Sequence, residues 1–341
     1  MIPQEKQAAV TRGLQEAFGV TAFEDIRQIT LGNATTRVFR IVVKGFPFLL
    51  KIIMRTDDAT RHFTCMKAAA AAGLAPRVHY AGIEDRLVIT DFVEATAPLR
   101  AAEALVRVPA VLRTLHSLPP FARVPDPFNT SCLFLLNQGP ALDGFLQKFR
   151  EMNLLSAAEC DDLLARYAQL AAAYPLHEPD MVSSHNDLFK PDNILFDGEH
   201  VWLVDWEAAF LNDRYADLAV VANMLVANEA EESVFLQTYF GRLPEPWQSA
   251  RFFLMQQLAH IFYTMAFLFM GASGGQLSLN ENAPDLSEFQ RRFWLGEVNL
   301  KDSEMKMAYV RFHWEHLLRN MRHPRFDEAV RIVAERLSPA C

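Results

Sequence analysis

The residues with the clearest chemical potential lie close together in the second half of the chain. Residues 184–196 read SHNDLFKPDNILF, which includes Asp187 and Asn193, and the hydrophobic run VWLV ends directly before Asp205. Transfer of a phosphoryl group requires a carboxylate that accepts the proton of the attacking hydroxyl, and hard oxygen ligands that hold Mg²⁺ on the nucleotide phosphates. The sequence therefore offers Asp187 as the base, and Asn193 and Asp205 as the metal ligands.

Two short strands are predicted to position the metal ligands, at 193–197 and 201–206. They flank the dipeptide GE, which favours a tight turn. A hairpin of this kind brings Asn193 and Asp205 together, although the two residues are far apart in the sequence.

The cluster resembles the catalytic and metal-binding loops of the aminoglycoside phosphotransferase and choline kinase superfamily, whose members are relatives of protein kinases. The triplet HND at 185–187 matches the catalytic loop, and the triplet DWE at 205–207 matches the metal loop of the choline kinase branch, its bacterial choline/ethanolamine kinase-like members above all. Four other segments resemble segments of the superfamily: GLAPRVHY, ITDFVE, VLRTLHSLP and LNDRYADLA. Their order and spacing agree with the superfamily from residue 28 to about residue 270. The resemblance implies ATP and Mg²⁺ as cofactors and a small-molecule alcohol as the phosphate acceptor.

The spacing inside the catalytic loop differs from the kinase pattern. That pattern places four residues between the base and the asparagine, whereas LFKPD places five between Asp187 and Asn193. Either the loop contains a one-residue bulge, or Asp192 takes the role of metal ligand. Alignment on Ile194 and Leu195 favours Asn193.

Lys51 lies in the middle of a predicted strand at 46–54, on the face opposite to Leu50 and Ile52. An unpaired ammonium is costly on a buried face. Lys51 is therefore either an edge-strand lysine that reaches solvent along its stem, or it faces phosphate. The resemblance favours phosphate, because a strand lysine of the family contacts the α and β phosphates.

In the resembled family, a glutamate on the next helix holds this lysine. Here His62 or Phe63 occupies the expected place, and Asp57 and Asp58 are interpreted as residues that cap the start of the helix. The partner of Lys51 is therefore not identified from the sequence.

The resemblance assigns further nucleotide contacts to two segments. The loop LGNATTR at 31–37 lacks the pattern G-x-G-x-x-G, and taken alone it is also consistent with an ordinary hairpin turn. The segment at 90–93, where a strand leaves the small lobe, is assigned to adenine. The residues concerned are Asn33, Thr35, Thr36, Asp91, Phe92 and Val93.

The remaining site residues concern the acceptor and the support of the catalytic loop. The DWE match and the net charge of −8 favour an acceptor with a cationic nitrogen. The resemblance implies that Glu207 and Tyr263 hold it, because the aromatic helix at 254–267 lies where the family places its choline-binding aromatics. Tyr263 is alternatively a core residue of a buried helix. His185 is predicted to fasten the catalytic loop. Asp217 either braces that loop, as in the family, or caps a helix.

Strand patterns rich in β-branched and aromatic residues fill the first quarter of the chain. They lie at 26–31, 37–43, 46–54, 78–82 and 86–94. Helical periodicity occurs at 5–18 and 58–72, and later at 101–116, 157–173 and 249–270. A loop is predicted between residue 181 and the hairpin.

These elements predict an α+β, bilobal protein-kinase-like fold. Residues 1–94 are expected to form a small nucleotide-binding lobe, an antiparallel sheet with one packed helix. Residues 95–341 are expected to form a larger, mainly helical lobe for catalysis and the substrate.

Composition narrows the class of protein. The 341 residues are 51% hydrophobic and can bury a large core, while a net charge of −8 argues against nucleic acid as the main partner. Four separated cysteines indicate neither a zinc site nor a disulfide framework, and the charged N-terminus does not look like a secretory signal. The separated cysteines predict a reducing, cytoplasmic setting. The apolar stretch at 261–272 is shorter than the roughly 20 residues of a membrane span, so a buried helix is expected there.

Three functions are consistent with these features. The first is a small-molecule kinase. The second is a catalytically impaired nucleotide-binding or regulatory module, since the helix acid is missing and the catalytic loop is longer. The third, a kinase acting on protein hydroxyls, is disfavoured because no A-P-E-like segment follows Asp205. The sequence does not indicate the oligomeric state.

Overall fold

The computed structural model describes residues 2–30, 36–54, 59–95, 98–124, 140–271, 277–281 and 283–337. The helices are α1 (Gln7–Phe18), α2 (Thr60–Ala71), α3 (Ala101–Leu115), α4 (Pro140–Glu151), α5 (Ala157–Ala173), α6 (Arg214–Leu225), α7 (Glu229–Phe240), α8 (Pro246–Gly271), α9 (Leu286–Trp294), α10 (Ser303–Arg322) and α11 (Pro324–Leu337). The strands are β1 (Asp25–Thr30), β2 (Thr36–Val43), β3 (Phe46–Ile53), β4 (Val78–Gly82), β5 (Leu87–Asp91), β6 (Met181–Ser184), β7 (Ile194–Phe196), β8 (Val201–Leu203) and β9 (Phe210–Asp213).

The chain divides into two compact units. The first comprises Met1–Ala97 and Asn193–Ala209, and the second comprises Pro98–Asp192 and Phe210–Cys341. The sequence interpretation placed the hairpin of β7 and β8 in the second lobe. In the structure it joins the first unit, where the Leu203 N–H donates to the Leu74 carbonyl over 2.8 Å.

An antiparallel sheet in the order β1-β2-β3-β5-β4 forms the centre of the first unit. Helix α1 covers one face of it, where Val10 and Leu14 pack in one cluster with Leu50 and Ile52 of β3. The helix ends at Phe18, because Gly19 after it adopts a left-handed conformation with φ of 71°. The strand alternation therefore places the core residues of β3 under α1 and Lys51 on the opposite face.

A second, two-stranded sheet belongs to the larger unit. Strand β6 pairs antiparallel with β9, with Met181 opposite Asp213 and Ser184 opposite Phe210. The prediction of a loop from residue 181 was therefore wrong at its start. The four-residue strand has no alternation long enough to be recognised, and its partner follows the hairpin in the sequence.

Helix α8 is the central helix of the second unit, in contact with α5, α6, α10 and α11. Within the described residues, it alone is long and apolar enough to cross a membrane by length and composition, and 78% of its most apolar window is buried inside the structure. A helix that is apolar on all sides is expected to lie inside a protein core or a membrane. Here neighbouring helices cover it, so the part of the apolar stretch that the structure describes, 261–271, forms the end of a core helix.

A fully buried arginine ties α8 to its surroundings. The Arg251 Nη2 lies 2.8 Å from Asp213 Oδ2, its Nε lies 2.9 Å from Asp180 Oδ2, and its Nη1 donates to the Pro175 carbonyl over 3.0 Å. The guanidinium also lies over the ring of Tyr174, 4.1 Å from its centroid. The buried Asp213 carboxylate thus has Arg251 as its cation, whereas the buried Asp180 carboxylate also lies 3.4 Å from the Nε of Arg214.

We expect Arg251→Met to lower the free energy of unfolding by about 3 to 5 kcal/mol, because it leaves the buried Asp213 carboxylate without its cation. Urea unfolding followed by circular dichroism measures the change. Arg242→Met is the matched control, since Arg242 is half exposed and pairs with Glu245 over 3.2 Å; we expect it to cost less than about 1 kcal/mol. Equal losses in the two variants would contradict this account of the buried cluster.

Candidate active site

The hairpin of β7 and β8 places the two predicted metal ligands at its open end. Ile194 pairs with Leu203, and the Val204 N–H donates to the Asn193 carbonyl over 3.1 Å. Asn193 is therefore fixed beside the residue that precedes Asp205. The side chain of Asn193 is buried, whereas Asp192 is exposed, an arrangement that favours Asn193 as the ligand.

The turn of the hairpin is closed by an aspartate. The Asp197 carboxylate accepts the backbone N–H of His200 over 2.7 Å, the indole N–H of Trp202 over 2.8 Å, and the backbone N–H of Glu199 over 2.9 Å. These bonds lower the pKa of Asp197 to about 2. The turn therefore remains charged and closed across the physiological pH range.

Asp205 itself has an unusual backbone. Its φ of 67° and ψ of 62° lie in the left-handed region, which few residues other than glycine adopt. Trp206 follows in a single 3-10 turn; its side chain is buried, and its indole N–H donates to the Leu203 carbonyl over 3.1 Å. The buried tryptophan thus anchors the turn that carries Asp205 and Glu207.

Lys51 has two carboxylate partners in the first unit. Its Nζ lies 2.8 Å from Asp205 Oδ1 and 2.7 Å from Glu207 Oε1. Burial lowers the pKa of Lys51, but the charges and hydrogen bonds of Asp205 and Glu207 outweigh burial and hold the pKa above the usual lysine value. The ammonium is therefore charged, and the alternative of an edge-strand lysine does not apply, because β3 lies between β2 and β5.

Helix α2 approaches the same turn with a cation. Arg61 donates to the Glu207 carbonyl over 3.0 Å and also to the Ala209 carbonyl. His62 and Phe63, which occupy the place of the family's glutamate, are both buried. No sequence pattern pointed to Arg61, because its partners are backbone groups about 150 residues away.

These residues fit a magnesium ion that is shared with phosphate. The amide oxygen of Asn193 and the carboxylate of Asp205 are the hard donors that Mg²⁺ prefers, and Mg²⁺ commonly takes one or two protein ligands beside phosphate oxygens and water. In the described part of the chain, no group of three or more His, Cys, Asp or Glu side chains is arranged to hold a metal by itself. The donor set thus suits a nucleotide-borne ion.

The second unit holds the catalytic loop through Asp217. This carboxylate, in the first turn of α6, accepts the backbone N–H of His185 and of Asn186, both over 2.8 Å. Helix α6 is capped instead by Asp213, which accepts the N–H of Tyr215. Asp217 therefore lies where a residue that braces the loop is expected.

A buried chain of polar groups supports Asp217. The His116 Nε2 lies 3.3 Å from Asp217 Oδ2, and the His116 Nδ1 lies 2.8 Å from the Tyr239 hydroxyl. Burial by itself raises the pKa of Asp217, but the bond and charge of His116, with His185, bring it below its usual value. The brace is therefore anionic. His116 was not predicted as a site residue, although it lies in the matched segment VLRTLHSLP.

Asp187 is held from two sides within its own unit. Its N–H donates to the Nδ1 of the fully buried His185 over 3.4 Å. Beyond it, the ring of Phe189 packs against Tyr263 and Phe267 of α8, with centroid distances of 5.2 and 5.9 Å. The half-buried Asp187 thus lies in a loop whose flanks are both fixed.

Tyr263 and Glu207, the predicted acceptor ligands, have different surroundings. Tyr263 is buried and contacts His313 and Tyr309 as well as the catalytic loop. Its neighbour His260 is also buried, 2.8 Å from His313, and burial lowers the pKa of His260 well below its usual value. Glu207 contacts Lys51, which its predicted role did not include.

The predicted nucleotide contacts are only partly described. Asn33 and Thr35 lie outside the described residues, and Thr36 opens β2 opposite Ile53. The predicted strand at 86–94 ends at Asp91, whose carboxylate lies 2.6 Å from the Nε2 of His79.

The two residues after β5 also have partners in the first unit. The guanidinium of Arg40 lies 5.4 Å from the centroid of the Phe92 ring, and the Val93 carbonyl accepts the N–H of Ala95 over 3.0 Å. The role of this segment in binding adenine stays a prediction.

Comparison with known proteins gives one family and one fold. A sequence model described as the phosphotransferase enzyme family matches residues 25–253, and no curated protein matches the chain. A choline/ethanolamine kinase family protein from Mesorhizobium loti is similar in structure, with a TM-score of 0.66, 19% identity and coverage of 97% of this chain and 99% of that chain.

Two further structures are similar over most of their length. For a choline kinase from Streptococcus pneumoniae, the TM-score is 0.55 at 12% identity, with 97% of this chain and 100% of that chain covered. For a spectinomycin phosphotransferase in complex with ADP and spectinomycin, the TM-score is 0.53 at 14% identity, with 89% and 98% covered. Similarity at these identities establishes the fold, and the predicted kinase-like fold class is confirmed.

Proposed function

This chain belongs to the phosphotransferase enzyme family, and from that premise we propose that it transfers the γ-phosphate of ATP to the hydroxyl of a small-molecule alcohol. The observation that carries the proposal is the contact of Lys51 with Asp205. It joins the residue assigned to the phosphates with the residue assigned to the metal, although the family's helix acid is absent. The missing helix acid was one of the two reasons to consider a catalytically impaired module, and it carries less weight when Lys51 has carboxylate partners elsewhere.

Each residue has a defined task in the proposed reaction. Lys51 binds phosphate oxygens, and Asn193 and Asp205 hold Mg²⁺, which when bound neutralises charge on the phosphates. Asp187 accepts the proton of the acceptor hydroxyl. Asp217 and His185 keep the backbone around Asp187 in place, so that the base does not have to be ordered when the acceptor binds.

We propose an amino alcohol such as choline or ethanolamine, or an amino sugar, as the acceptor. The DWE triplet, the negative net charge and the similarity to choline and ethanolamine kinases support it. The half-buried ring of Phe189, which packs on the buried Tyr263, supplies aromatic surface in the catalytic loop. The carboxylate of Glu207 already contacts a cation of the protein itself, the ammonium of Lys51.

We also propose a cytoplasmic location. Cys65 and Cys160, the cysteines among the described residues, are free thiols. Free thiols are typical of proteins from a reducing compartment.

A coupled assay of ADP release tests the function. The panel contains choline, ethanolamine, amino sugars and sugar alcohols, each with ATP and Mg²⁺, and a reaction without acceptor is the control. We expect one class to raise ADP release well above the control, with the phosphate ester visible by ³¹P NMR. Binding of ATP that depends on Mg²⁺ but gives no turnover with any acceptor would instead identify the impaired module.

We expect Asn193→Ala to raise the apparent Mg²⁺ constant more than Asp192→Ala does. Asn193 is buried at the start of β7, whereas Asp192 is exposed, and a metal ligand must be held in a fixed position. Magnesium titrations of turnover compare the two variants. The reverse order would move the ligand role to Asp192 and leave the rest of the site unchanged.

A further inference from the structure

The two carboxylates on Lys51 differ in their surroundings. The Asp205 side chain is 42% exposed, whereas that of Glu207 is 20% exposed, and both reach the same ammonium. Because Mg²⁺ needs the carboxylate of Asp205 in the proposed reaction, that oxygen cannot serve the lysine and the metal to the same extent. A second acid is required if Lys51 is to stay in place when the metal is bound.

Glu207 meets the requirements for this second acid. Its carboxylate lies 2.7 Å from Lys51 Nζ, and its backbone carbonyl is held by Arg61 of α2. The neighbouring Trp206 is buried, and its indole N–H donates to the Leu203 carbonyl, which fixes the turn. The backbone and the carboxylate of Glu207 are thus both held in place. The side chain therefore loses little conformational entropy when it contacts the lysine.

We propose that Glu207 is the positioning residue for Lys51, in the place that an acid on the helix occupies in the resembled family. The proposal rests on the proposed function, and it deepens it by giving Asp205 and Glu207 separate tasks. Asp205 serves the metal, and Glu207 serves the lysine. Helix α2 then acts on Lys51 indirectly. It offers the lysine no carboxylate, and its Arg61 instead binds the backbone of the turn that carries Glu207.

The first experiment measures Lys51 without any turnover. Trinitrobenzenesulfonate reacts with an unprotonated amine, so its rate at Lys51 reports how well the ammonium is stabilised. The labelling is done at pH 8 in EDTA without nucleotide, and peptide mass spectrometry quantifies Lys51. We expect Glu207→Gln to label faster by up to about tenfold, the change that one pKa unit produces.

Two other variants control this measurement. Glu199→Gln makes the same change at an exposed position in the turn of the same hairpin, and we expect its labelling rate to equal that of the wild type. Glu207→Asp keeps a carboxylate on a shorter side chain and should give an intermediate rate. If Glu207→Gln fails to fold by circular dichroism, Glu207→Asp decides alone: faster labelling than wild type supports the proposal, and an equal rate contradicts it.

The second experiment separates positioning from the other roles of an acid. With the best acceptor, we expect Glu207→Gln to lower kcat at least about tenfold, a loss of about 1.4 kcal/mol of transition-state stabilisation, with an unchanged apparent Mg²⁺ constant. Glu207→Asp should recover part of kcat. An Mg²⁺ constant raised as much as in Asp205→Asn would make Glu207 a metal ligand, and a raised acceptor KM with unchanged labelling would make it an acceptor ligand; either result overturns the proposal.

The two arms also separate this proposal from the proposed function. If the wild type shows no turnover with any acceptor, the labelling arm still tests the contact with Lys51. Faster labelling of Glu207→Gln would then support the contact while the enzyme assignment fails. An unchanged labelling rate in a folded Glu207→Gln variant would overturn the positioning role even if turnover is found.

Discussion

Asp187→Ala is expected to reduce turnover by about 10² to 10⁴-fold, the usual contribution of a positioned general base. The affinity for ATP should change little, because Asp187 lies in a loop held by His185 and Phe189 and has no assigned contact with the nucleotide. Turnover is measured by ADP release with the best acceptor, and ATP binding by calorimetry. The two measurements together distinguish loss of the base from loss of the nucleotide site.

Asp161→Ala provides the matched control for this prediction. Asp161 is an exposed aspartate of α5 that pairs only loosely with Arg150, over 3.3 Å, and its loss should leave turnover at the wild-type level. Wild-type turnover in Asp187→Ala would show that another group accepts the proton. A loss of ATP affinity as large as the loss of turnover would mean that the substitution disturbs the loop as a whole.

Asp205→Ala is expected to lower turnover by on the order of 10²-fold or more, and also to weaken nucleotide binding in the presence of Mg²⁺. The reason is that the substitution removes the anionic ligand of an ion that contributes several kcal/mol to the transition state. Calorimetry of ATP binding with Mg²⁺ and with EDTA measures the effect. In the wild type the two conditions should differ; in Asp205→Ala they should become similar.

The structure supplies a control for this second prediction as well. Glu199→Ala removes an exposed carboxylate from the turn of the same hairpin, and magnesium should strengthen nucleotide binding in this variant as in the wild type. Lys51 keeps Glu207 as a partner when Asp205 is removed, so binding in EDTA is expected to remain close to that of the wild type. If Mg²⁺ still strengthened binding by the wild-type factor in Asp205→Ala, the metal ligand would have to be sought elsewhere.

The order of the elements could be predicted because it follows from local patterns. The predicted helix at 5–18 corresponds to α1 and ends at Gly19, and the alternation in β3 puts Lys51 on the face away from α1. The gap between the predicted strands at 37–43 and 46–54 is the turn of Lys44 and Gly45, which both have positive φ. Periodicity, glycine conformations and turn residues act over a few positions, so they can be read from the sequence alone.

The site motif could be found for a related reason. Asp187, Asn193 and Asp205 lie within twenty residues of one another, and the apolar run before Asp205 marks the strand that positions it. The roles assigned to these side chains remain predictions, as do those of Asn33 and Thr35, which lie outside the described residues. The sequence could also not decide whether Asp217 caps a helix, because both roles place an acid near a helix start.

Tertiary structure alone decided which groups meet. The Nζ of Lys51 contacts Asp205, which is 154 positions away along the chain, and His116 supports Asp217 across 101 positions. No local pattern encodes such contacts, because an ion pair depends on the distance between two side chains after folding and on how much water remains around them. The sequence by itself thus determined the elements and the chemical groups of this protein, and the folded chain determined that Asp205 and Glu207 are the carboxylates that contact Lys51.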